Sequence, residues 1–468
     1  MNETRNQFDY DVAILGGGSA GYAAARTAGA AGLRTIVIEG GAEAGGLCIL
    51  RGCMPTKALL YAAEVMHLAG RARQWGIRTE NVGFDFAQVM AVKDALIREF
   101  ADDRREQLFS GKFKFIRATA SFLDPHTVTV SNAGALTAAH FVITTGSAVA
   151  PPPLAQLRDI GCLTSDDVMK LTQLPKSLIV LGGGAVAVEL AQFFARFGVR
   201  VTLLQRGEHL LRGFDTDAAM EIEKVFRRDG IEVLTNTKLT GARRDDVRKT
   251  VLFEHDGQPR SVSAEEILLA LGRVPNIASL DLDRAGVATE HGRIVANGFM
   301  QTSVPHIYTA GDCTGPHDIL HLAVQQGEIA AHNIAHPDTP WRMDDRLLLA
   351  VIFTEPQVAF AGLTEKTATA RGIPYLAASH PFNDHGKSLI MGARDGFVKL
   401  LADPQSGEIL GGACVGPVGG ELVHEIIVAL AKRVTVHELA ALPHYHPTLA
   451  EIWTYPAEAL AERIPAAQ

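Results

Sequence analysis

The chain has 468 residues, of which 47% are hydrophobic and 21% charged, so it can bury sizeable cores, and its length predicts about three domains. Its 44 basic and 52 acidic residues give a formal net charge of −8. Without a basic block, nucleic acid and anionic membranes are not expected as partners. No apolar run approaches the roughly 20 residues that span a bilayer, and "MNETRNQFDYDVAILGGG" contains no charged-then-apolar leader. We therefore expect a cytoplasmic globular protein.

The first predicted elements are a strand, a glycine turn, a helix and a second strand, in "YDVAILGGGSAGYAAARTAGAAGLRTIVIEGG". Gly16, Gly18 and Gly21 permit a tight turn and let the backbone approach a pyrophosphate, which a helix N-terminus attracts. Glu39 ends the second strand, where a carboxylate can accept a hydrogen bond from a ribose hydroxyl. The segment predicts a site for an adenosine dinucleotide without a 2′-phosphate.

Two cysteines follow at a predicted helix start, Cys48 and Cys53 in "GGLCILRGCMPTKALL". They could form a metal clip, a structural disulfide or a reversible redox pair, or be a coincidence of composition. A structural zinc site needs four ligands, and the other three cysteines stand alone, so we predict no metal site. A permanent disulfide is uncommon in the cytoplasm. Pro55 suits the first turn of a helix, which places Cys53 near the positive helix end, where a thiolate is favoured.

The strand, glycine turn and helix recur in "SLIVLGGGAVAVELAQFFARFGVRVTLLQRGE", with Gly182, Gly184 and Ala187 at the turn. One glycine fingerprint is weak evidence, because short glycine patterns occur by chance. Two of them, each between predicted strands, indicate two dinucleotide sites.

The two repeats differ where their second strands end. The position equivalent to Glu39 is Gln205, a neutral amide, and Arg206 follows it. A carboxylate there would repel a 2′-phosphate, whereas a guanidinium would bind it with charge-assisted hydrogen bonds. Arg212 could add a second contact. The second repeat therefore predicts an NADPH site.

Two further strands, "HFVITTGSAVAPPP" and "EEILLALGRVPN", each end in a glycine followed by a proline-bearing turn. Such turns predict that the chain crosses between domains near these points. Another strand ends at Asp312 in "IYTAGDCTG", where an aspartate could bind a cofactor's polyol. From residue 346 the chain is strand-rich and has no dinucleotide fingerprint. The predicted segments are 1–150, 151–275, 276–345 and 346–468.

Taken in order, these motifs resemble the flavin-dependent pyridine nucleotide–disulfide oxidoreductases, the family of glutathione reductase, dihydrolipoamide dehydrogenase and mercuric reductase. The match covers nearly the whole chain, and the cysteine motif together with "HPTLAE" is specific. The resemblance implies an α/β fold with two Rossmann-like dinucleotide-binding domains and an α+β C-terminal dimerisation domain. It further implies FAD in the first nucleotide fold, in segments 1–150 and 276–345, NAD(P)H in the second, and a homodimer.

The resemblance also assigns roles to single residues. Cys53 would be the sulfur that faces the flavin, and Cys48 the interchange thiol that attacks the substrate. Lys57, one helical turn beyond Cys53, matches the family lysine near the flavin, which pairs with a glutamate of the second fold, here Glu189.

Near the other end, "LPHYHPTLAEIWTYP" carries the family's acid–base motif. Thiol–disulfide exchange needs a proton donor for the leaving thiolate and a base for the attacking thiol, and histidine serves both near neutral pH. His446 matches the acid–base, Glu451 matches the carboxylate that orients it, and His444 would be a neighbour. In relatives this histidine reaches the cysteines of the other subunit.

The cofactor-binding residues that these motifs indicate lie in the two glycine turns, at the ends of strands and in the cysteine loop. They are Gly16, Gly18, Ser19, Gly21, Glu39, Gly46, Thr145, Gly146, Gly182, Gly184, Arg206, Arg212, Gly272 and Asp312.

The expected function is NADPH-dependent reduction of a small disulfide, glutathione-like or lipoamide-like. Arg26 falls where glutathione reductase contacts its substrate and could meet a carboxylate. Three alternatives remain open: a mercuric or other metal reductase, a flavin-only diaphorase or quinone reductase, and a non-catalytic redox sensor. The first is disfavoured because the chain lacks the C-terminal cysteine pair of mercuric reductase, its last cysteine being Cys414.

Overall fold

The computed structural model describes residues 7–465, which form two compact units. The first contains the described residues up to Ala58 together with Met90–Pro151 and Gly272–Met343. The second contains Leu59–Val89, Pro152–Leu271 and the described residues from Asp344 onward. The division of the chain into four segments at 150, 275 and 345 stays a prediction.

Strands and helices alternate through much of the first half of the chain. The strands are β1 (Tyr10–Leu15), β2 (Thr35–Glu39), β3 (Lys114–Arg117), β4 (Ala120–Asp124), β5 (Thr127–Val130), β6 (Gly134–Ile143), β7 (Ser147–Val149), β8 (Ser177–Leu181), β9 (Arg200–Leu204) and β10 (Glu232–Leu234). The helices are α1 (Ser19–Ala30), α2 (Leu47–Leu50), α3 (Cys53–Arg71), α4 (Phe86–Leu108), α5 (Ala155–Asp159), α6 (Ser165–Val168), α7 (Ala185–Arg196) and α8 (Thr216–Arg228).

The second half of the chain is richer in strands. These are β11 (Thr237–Arg244), β12 (Lys249–His255), β13 (Gln258–Ala264), β14 (Glu266–Leu269), β15 (Arg273–Pro275), β16 (Thr289–Glu290), β17 (Arg293–Ile294), β18 (Ile307–Thr309), β19 (Leu349–Ile352), β20 (Gln357–Gly362), β21 (Leu376–Pro381), β22 (Phe397–Ala402) and β23 (Ile409–Gly416). The helices are α9 (Leu282–Ala285), α10 (Leu320–Ala335), α11 (Glu365–Ala370), α12 (Gly386–Ile390), α13 (Gly419–Lys432), α14 (Val436–Ala441) and α15 (Thr454–Ala461).

The first unit is organised around a sheet with the strand order β3-β2-β1-β6-β5-β4, and β18 also pairs with β6. The strands around β1 are parallel, whereas β4, β5 and β6 are antiparallel. Residues Val12–Leu15 of β1 are almost completely buried on both faces, as expected for a parallel strand covered by helices on both sides. The glycine turn after β1 therefore starts from a rigid, buried strand.

Helix α1 packs closely against α10 because both helices present small residues at their contact. A Cβ atom on Gly327 would lie only 2.3 Å from the carbonyl oxygen of Ala20. Glycine is the residue that permits such an approach of two backbones. The alanine-rich sequence of α1 thus serves the packing of its buried face.

The second unit contains the second nucleotide fold and a separate antiparallel sheet. The parallel strands follow the order β10-β9-β8-β14, and β11, β12 and β13 form a three-stranded meander. The C-terminal sheet has the order β19-β20-β23-β22-β21 and is antiparallel throughout. Its core includes the fully buried Trp453, whose indole N–H donates to the carbonyl of Leu422 at 3.1 Å.

Candidate functional site

Two positions of the first glycine turn, Gly16 and Gly21, have no room for a side chain. Gly16 has a φ of +112°, and a Cβ atom on it would lie 2.4 Å from the carbonyl oxygen of Thr144. A Cβ atom on Gly21 would lie 1.9 Å from the carbonyl oxygen of Gly16. Helix α1 begins directly after Gly18, so bare backbone and a helix N-terminus meet here, as a pyrophosphate site requires.

Glu39 lies at the end of β2 and holds this turn in place. Its Oε2 accepts a hydrogen bond from the N–H of Gly17 and its Oε1 one from the N–H of Gly41, both at 2.6 Å. The side chain borders an open cleft of about 300 Å³, which is lined by Glu39, Gly40, Gly41, Ala42, Arg117, Ala118, Thr119 and Ser131. A carboxylate beside a cleft next to the glycine turn suits an adenosine ribose.

Polar groups without full partners lie at the ends of the neighbouring strands. The hydroxyl of Thr145 is buried and has no hydrogen-bond partner. Asp312 accepts a hydrogen bond from Ser147 at 2.5 Å, and burial raises the pKa of its carboxyl. Gly146 and Gly272 both have positive φ angles, +67° and +108°. An unpaired buried hydroxyl and a half-buried carboxyl are what a polyhydroxylated cofactor would satisfy, so the residues of this unit fit FAD.

The cysteine loop packs directly against the start of α1. Gly46 has a φ of +81°, and a Cβ atom on it would lie 2.7 Å from the Cα of Gly18 and 3.5 Å from the amide nitrogen of Ser19. The short helix α2 follows and carries Cys48. Glycine at position 46 therefore brings the cysteine next to the nucleotide-binding turn.

The two sulfurs meet at the start of α3, and both are thiols rather than a disulfide. The Cys48 thiol donates a hydrogen bond to Cys53, and this bond, followed by burial, raises the pKa of Cys48, whereas the charge of Arg104 lowers it. A Cβ atom on Gly52 would lie 3.2 Å from the Cα of Cys48, so the glycine allows the two cysteines to approach. With its pKa raised, Cys48 needs a base before it can attack a disulfide.

Lys57 and Glu189 lie in different compact units. Lys57 is in the second turn of α3, and Glu189 is buried in α7, where its Oε1 accepts the N–H of Phe353 at 2.9 Å. The predicted pairing of Lys57 with Glu189 stays a prediction.

The second glycine turn repeats the geometry of the first. A Cβ atom on Gly182 would lie 2.2 Å from the carbonyl oxygen of Ala270, whereas one on Gly184 would have no neighbour within 4 Å. A Cβ atom on Gly183 would lie 2.9 Å from side-chain atoms of Gln205 and Leu210, so Gly182 and Gly183 are the crowded positions of this turn. Gln205 takes the place of Glu39 beneath the turn, and its Oε1 accepts the N–H of Arg206 at 3.0 Å.

The two arginines predicted to bind a 2′-phosphate are exposed at this end of the strands. Neither the Arg206 nor the Arg212 side chain forms an ion pair with another residue in the described range 7–465. Lys366 donates to the backbone carbonyl of Arg212. Both guanidinium groups are thus available to an anion.

The C-terminal dyad is formed within the second unit. The Nδ1–H of His446 donates to Oε2 of Glu451 at 3.0 Å, while the side chain of His446 is 78% exposed and that of Glu451 only 9%. Because Nδ1 carries the proton shared with the carboxylate, Nε2 is the nitrogen that can exchange protons with a substrate.

His444 is held differently, and its geometry argues against proton transfer. Its Nδ1 faces the carbonyl of Leu442 at 3.0 Å and its Nε2 faces Glu425 at 2.8 Å. Both ring nitrogens are occupied by acceptors, so His444 holds the loop in place.

A second histidine contacts Glu451, and sequence reasoning missed it. His385 is buried, its Nε2 lies 3.3 Å from Oε1 of Glu451, and its Nδ1 lies 2.7 Å from the hydroxyl of Ser388. No hydrogen bond joins the Nε2 of His385 to Glu451, and burial lowers the pKa of His385. His385 thus packs against the Glu451 oxygen that His446 does not contact. The sequence around His385, "PFNDHGKS", contains no motif that indicates a contact with Glu451.

Glu355 lies two residues after Phe353, whose N–H donates to Glu189 of α7. Its buried carboxyl should make the stability of the protein depend on pH. Burial raises the pKa of its carboxyl to about 7, against the attraction of Arg196. In the unfolded chain the pKa of this carboxyl is near 4.3. The contribution of Glu355 to the free energy of unfolding is therefore full below about pH 4 and is lost as the pH rises through about 7. Glutamine is neutral at every pH and avoids this loss. The change in the free energy of unfolding caused by Glu355→Gln should therefore be more favourable at pH 8 than at pH 5, by about 1–3 kcal/mol.

Thermal unfolding midpoints of the two proteins at pH 5 and pH 8 measure this difference. The exposed Glu458 provides a matched control, since Glu458→Gln should change the midpoint equally at both pH values. An equal effect of Glu355→Gln at both values would contradict the assignment.

Two negative observations concern the described residues only. Within residues 7–465, no helix has the length and hydropathy needed to cross a membrane. The same range contains no cluster of three or more His, Cys, Asp or Glu residues arranged to hold a metal ion.

Two family models match most of the chain. Residues 10–327 match pyridine nucleotide-disulphide oxidoreductase, and residues 349–457 match the dimerisation domain of the same name. The dihydrolipoyl dehydrogenase of Geobacillus stearothermophilus is 33% identical over 96% of this chain and 95% of its own length. That of Mycobacterium tuberculosis is 36% identical over 94% of this chain and 96% of its own length.

Solved structures have the same fold. LpdA from Mycobacterium tuberculosis has a TM-score of 0.86 and 28% identity, covering 96% of this chain and 99% of its own. The HOCl-induced flavoprotein disulfide reductase RclA from Escherichia coli has a TM-score of 0.84 at 24% identity, with the same coverage, and supports the fold alone. These matches confirm the predicted α/β fold class with two nucleotide-binding domains and a C-terminal dimerisation domain.

Proposed function

The chain belongs to the pyridine nucleotide–disulphide oxidoreductase family, as its motifs predicted, and from that premise we propose that it transfers electrons from NADPH through FAD to a small disulfide. As a member of this family it is a flavin-dependent disulfide oxidoreductase. The observation that supports the substrate class most directly is the hydrogen-bonded Cys48–Cys53 pair beside the first nucleotide turn.

When bound, the nicotinamide and the flavin supply two electrons, and the residues of the chain perform the thiol chemistry. In the reduced pair, Cys48 loses its proton to a base and attacks one sulfur of the substrate disulfide. The first substrate thiolate leaves and takes up a proton. Cys53 then attacks Cys48, releases the second thiolate and restores the Cys48–Cys53 disulfide.

We assign the base and the proton donor to the partner subunit's His446 in a homodimer. Three side chains of the loop that carries His446 are strongly exposed in the single chain: Leu442 at 53%, Tyr445 at 82% and His446 at 78%. A second copy that covers this loop would bring the histidine to the cysteines. The glutamate behind it stabilises the imidazolium after proton uptake.

The proposed preference for NADPH rests on Gln205 and Arg206. Replacing Arg206 by alanine should lower kcat/KM for NADPH by about 10- to 100-fold, the loss expected for a charge-assisted contact to phosphate, with little change for NADH. Rates of flavin reduction with the two coenzymes measure this ratio. The exposed Arg243 in β11 offers a control that removes the same charge from the same unit. If both variants alter the ratio equally, Arg206 does not bind the phosphate.

The substrate class can be tested by reducing the protein anaerobically with NADPH and reoxidising it with a panel of low-molecular-weight disulfides. Because the relatives are dihydrolipoyl dehydrogenases, lipoamide belongs in the panel beside glutathione disulfide. We expect rapid reoxidation by at least one small disulfide. Reoxidation by a mercuric–thiolate complex or by quinones alone would instead support a metal reductase or a diaphorase, and no reoxidation would support a redox sensor. A cytoplasmic location stays a prediction of the composition.

A further inference from the structure

Helix α4 carries buried polar side-chain atoms without partners in its last two turns. The Nε and Nη1 atoms of Arg104 are buried and have no hydrogen-bond partner in the described chain, and one turn further the Oε1 of Gln107 is in the same state. Burying donors and acceptors without partners is costly. A guanidinium stays charged in such a place, so this position is suited to a ligand that supplies the missing acceptor.

The guanidinium of Arg104 is held by an aromatic ring next to the cysteine loop. Its Cζ lies 4.2 Å from the centroid of the Tyr22 ring, a cation–π distance that fixes the plane of the group. The N–H of Tyr22 donates to the carbonyl of Gly18 at 2.8 Å, and Gly18 is the residue against which Gly46 packs. The arginine, the ring and the cysteine loop are thus connected by direct contacts.

Arg104 also lies within electrostatic reach of the attacking sulfur, because its charge lowers the pKa of Cys48. Arg26, which the resemblance suggested as a carboxylate contact, is neutralised by an ion pair with Glu328. Arg105, next in the chain, is exposed and pairs with Asp102 at 3.2 Å. Of these three arginines, Arg104 is the one whose charge no carboxylate contacts.

We propose that Arg104, stacked on Tyr22, binds a carboxylate of the disulfide substrate while Cys48 attacks its sulfur. The side-chain Oε1 of Gln107 accepts a hydrogen bond from an N–H group of the same molecule where one is present. The substrate class is therefore a small disulfide that carries a carboxylate, rather than a neutral disulfide. This inference rests on the proposed function, because it concerns the substrate of the same cysteine pair.

The test uses matched substrates that differ only in this charge: lipoate with lipoamide, and dithiodipropionate with its diamide. Steady-state kcat/KM values with NADPH give an acid-over-amide ratio for each pair. In the unmodified holoenzyme we expect the ratio to favour the acid by about 10-fold or more, in line with a charged hydrogen bond. In Arg104→Gln the ratio should fall to near 1, mainly through KM. Arg104→Lys, which keeps the charge without the planar group, should give an intermediate ratio.

Arg105→Gln is the matched control on the same helix and should keep the unmodified ratio. A ratio unchanged in Arg104→Gln would overturn the proposal, and so would an unmodified enzyme without preference for the acids, even if the variant failed to fold. Failure of the proposed function has a different signature, because then no member of either pair would be reduced by the unmodified enzyme.

Discussion

Replacing Cys48 by serine is expected to abolish disulfide turnover, by about a thousandfold or more, while the flavin is still reduced by NADPH. A serine hydroxyl is not ionised near neutral pH and cannot attack a disulfide sulfur. The flavin should therefore be reduced, but its electrons should not reach the disulfide substrate. The helix start that carries Cys53 and the glycine turn beside it are left in place. Stopped-flow flavin reduction and steady-state turnover with the best disulfide of the panel measure the two steps separately.

A matched control is available in Cys162, a half-buried cysteine of the second unit whose thiol donates to the carbonyl of Leu157 at 3.1 Å. Burial raises the pKa of this thiol to about 11, so it is not a nucleophile near neutral pH. Cys162→Ser should therefore preserve both steps. Loss of flavin reduction in Cys48→Ser would contradict the roles assigned to the two sulfurs. Survival of disulfide turnover would support a reaction at the flavin alone.

The second large effect is expected at the histidine dyad. His446→Gln should lower disulfide turnover by about 10²- to 10⁴-fold, the range for loss of a general acid–base, again without affecting flavin reduction. The physical reason is that the Cys48 thiol, whose pKa is raised by Cys53 and by burial, then has no base. The loss should shrink as pH rises, because Cys48 ionises increasingly without help. A pH profile of kcat/KM for the unmodified enzyme and the variant tests this dependence.

His444→Gln separates proton transfer from support of the loop. Because both nitrogens of His444 already face acceptors, its replacement should cost far less than that of His446 and by a similar factor at every pH. If the two variants lose activity equally, with the same pH profile, the assignment of His446 is wrong.

The two nucleotide folds were predictable because their signals are local. Glycines at fixed spacing between a β-branched strand and a helix specify a turn that no other residue can form, and Gly16 and Gly182 indeed have φ angles of +112° and +118°. The contrast between Glu39 and Gln205 was also readable, since both positions follow from counting along equivalent strands. The structure places both side chains beneath their turns.

The cysteine and histidine motifs are also local signals, and they indicated the family. They did not indicate which groups surround each side chain. The pairing of Lys57 with Glu189, the cofactor contacts and the reach of His446 into a second subunit depend on groups in another unit, a cofactor or a second chain. They therefore remain predictions that the experiments above address.

The amino-acid sequence by itself determined the fold class and the family, because both depend on short motifs whose backbone requirements are strict. Only the tertiary structure decided that His385 lies behind Glu451, that Glu328 neutralises Arg26 from 302 residues away, and that Arg104 remains without an anion beside the cysteine loop. Such contacts join elements that are distant in the chain. Packing of these elements decides which charged side chains find an opposite charge. The local pattern of residues does not contain that information.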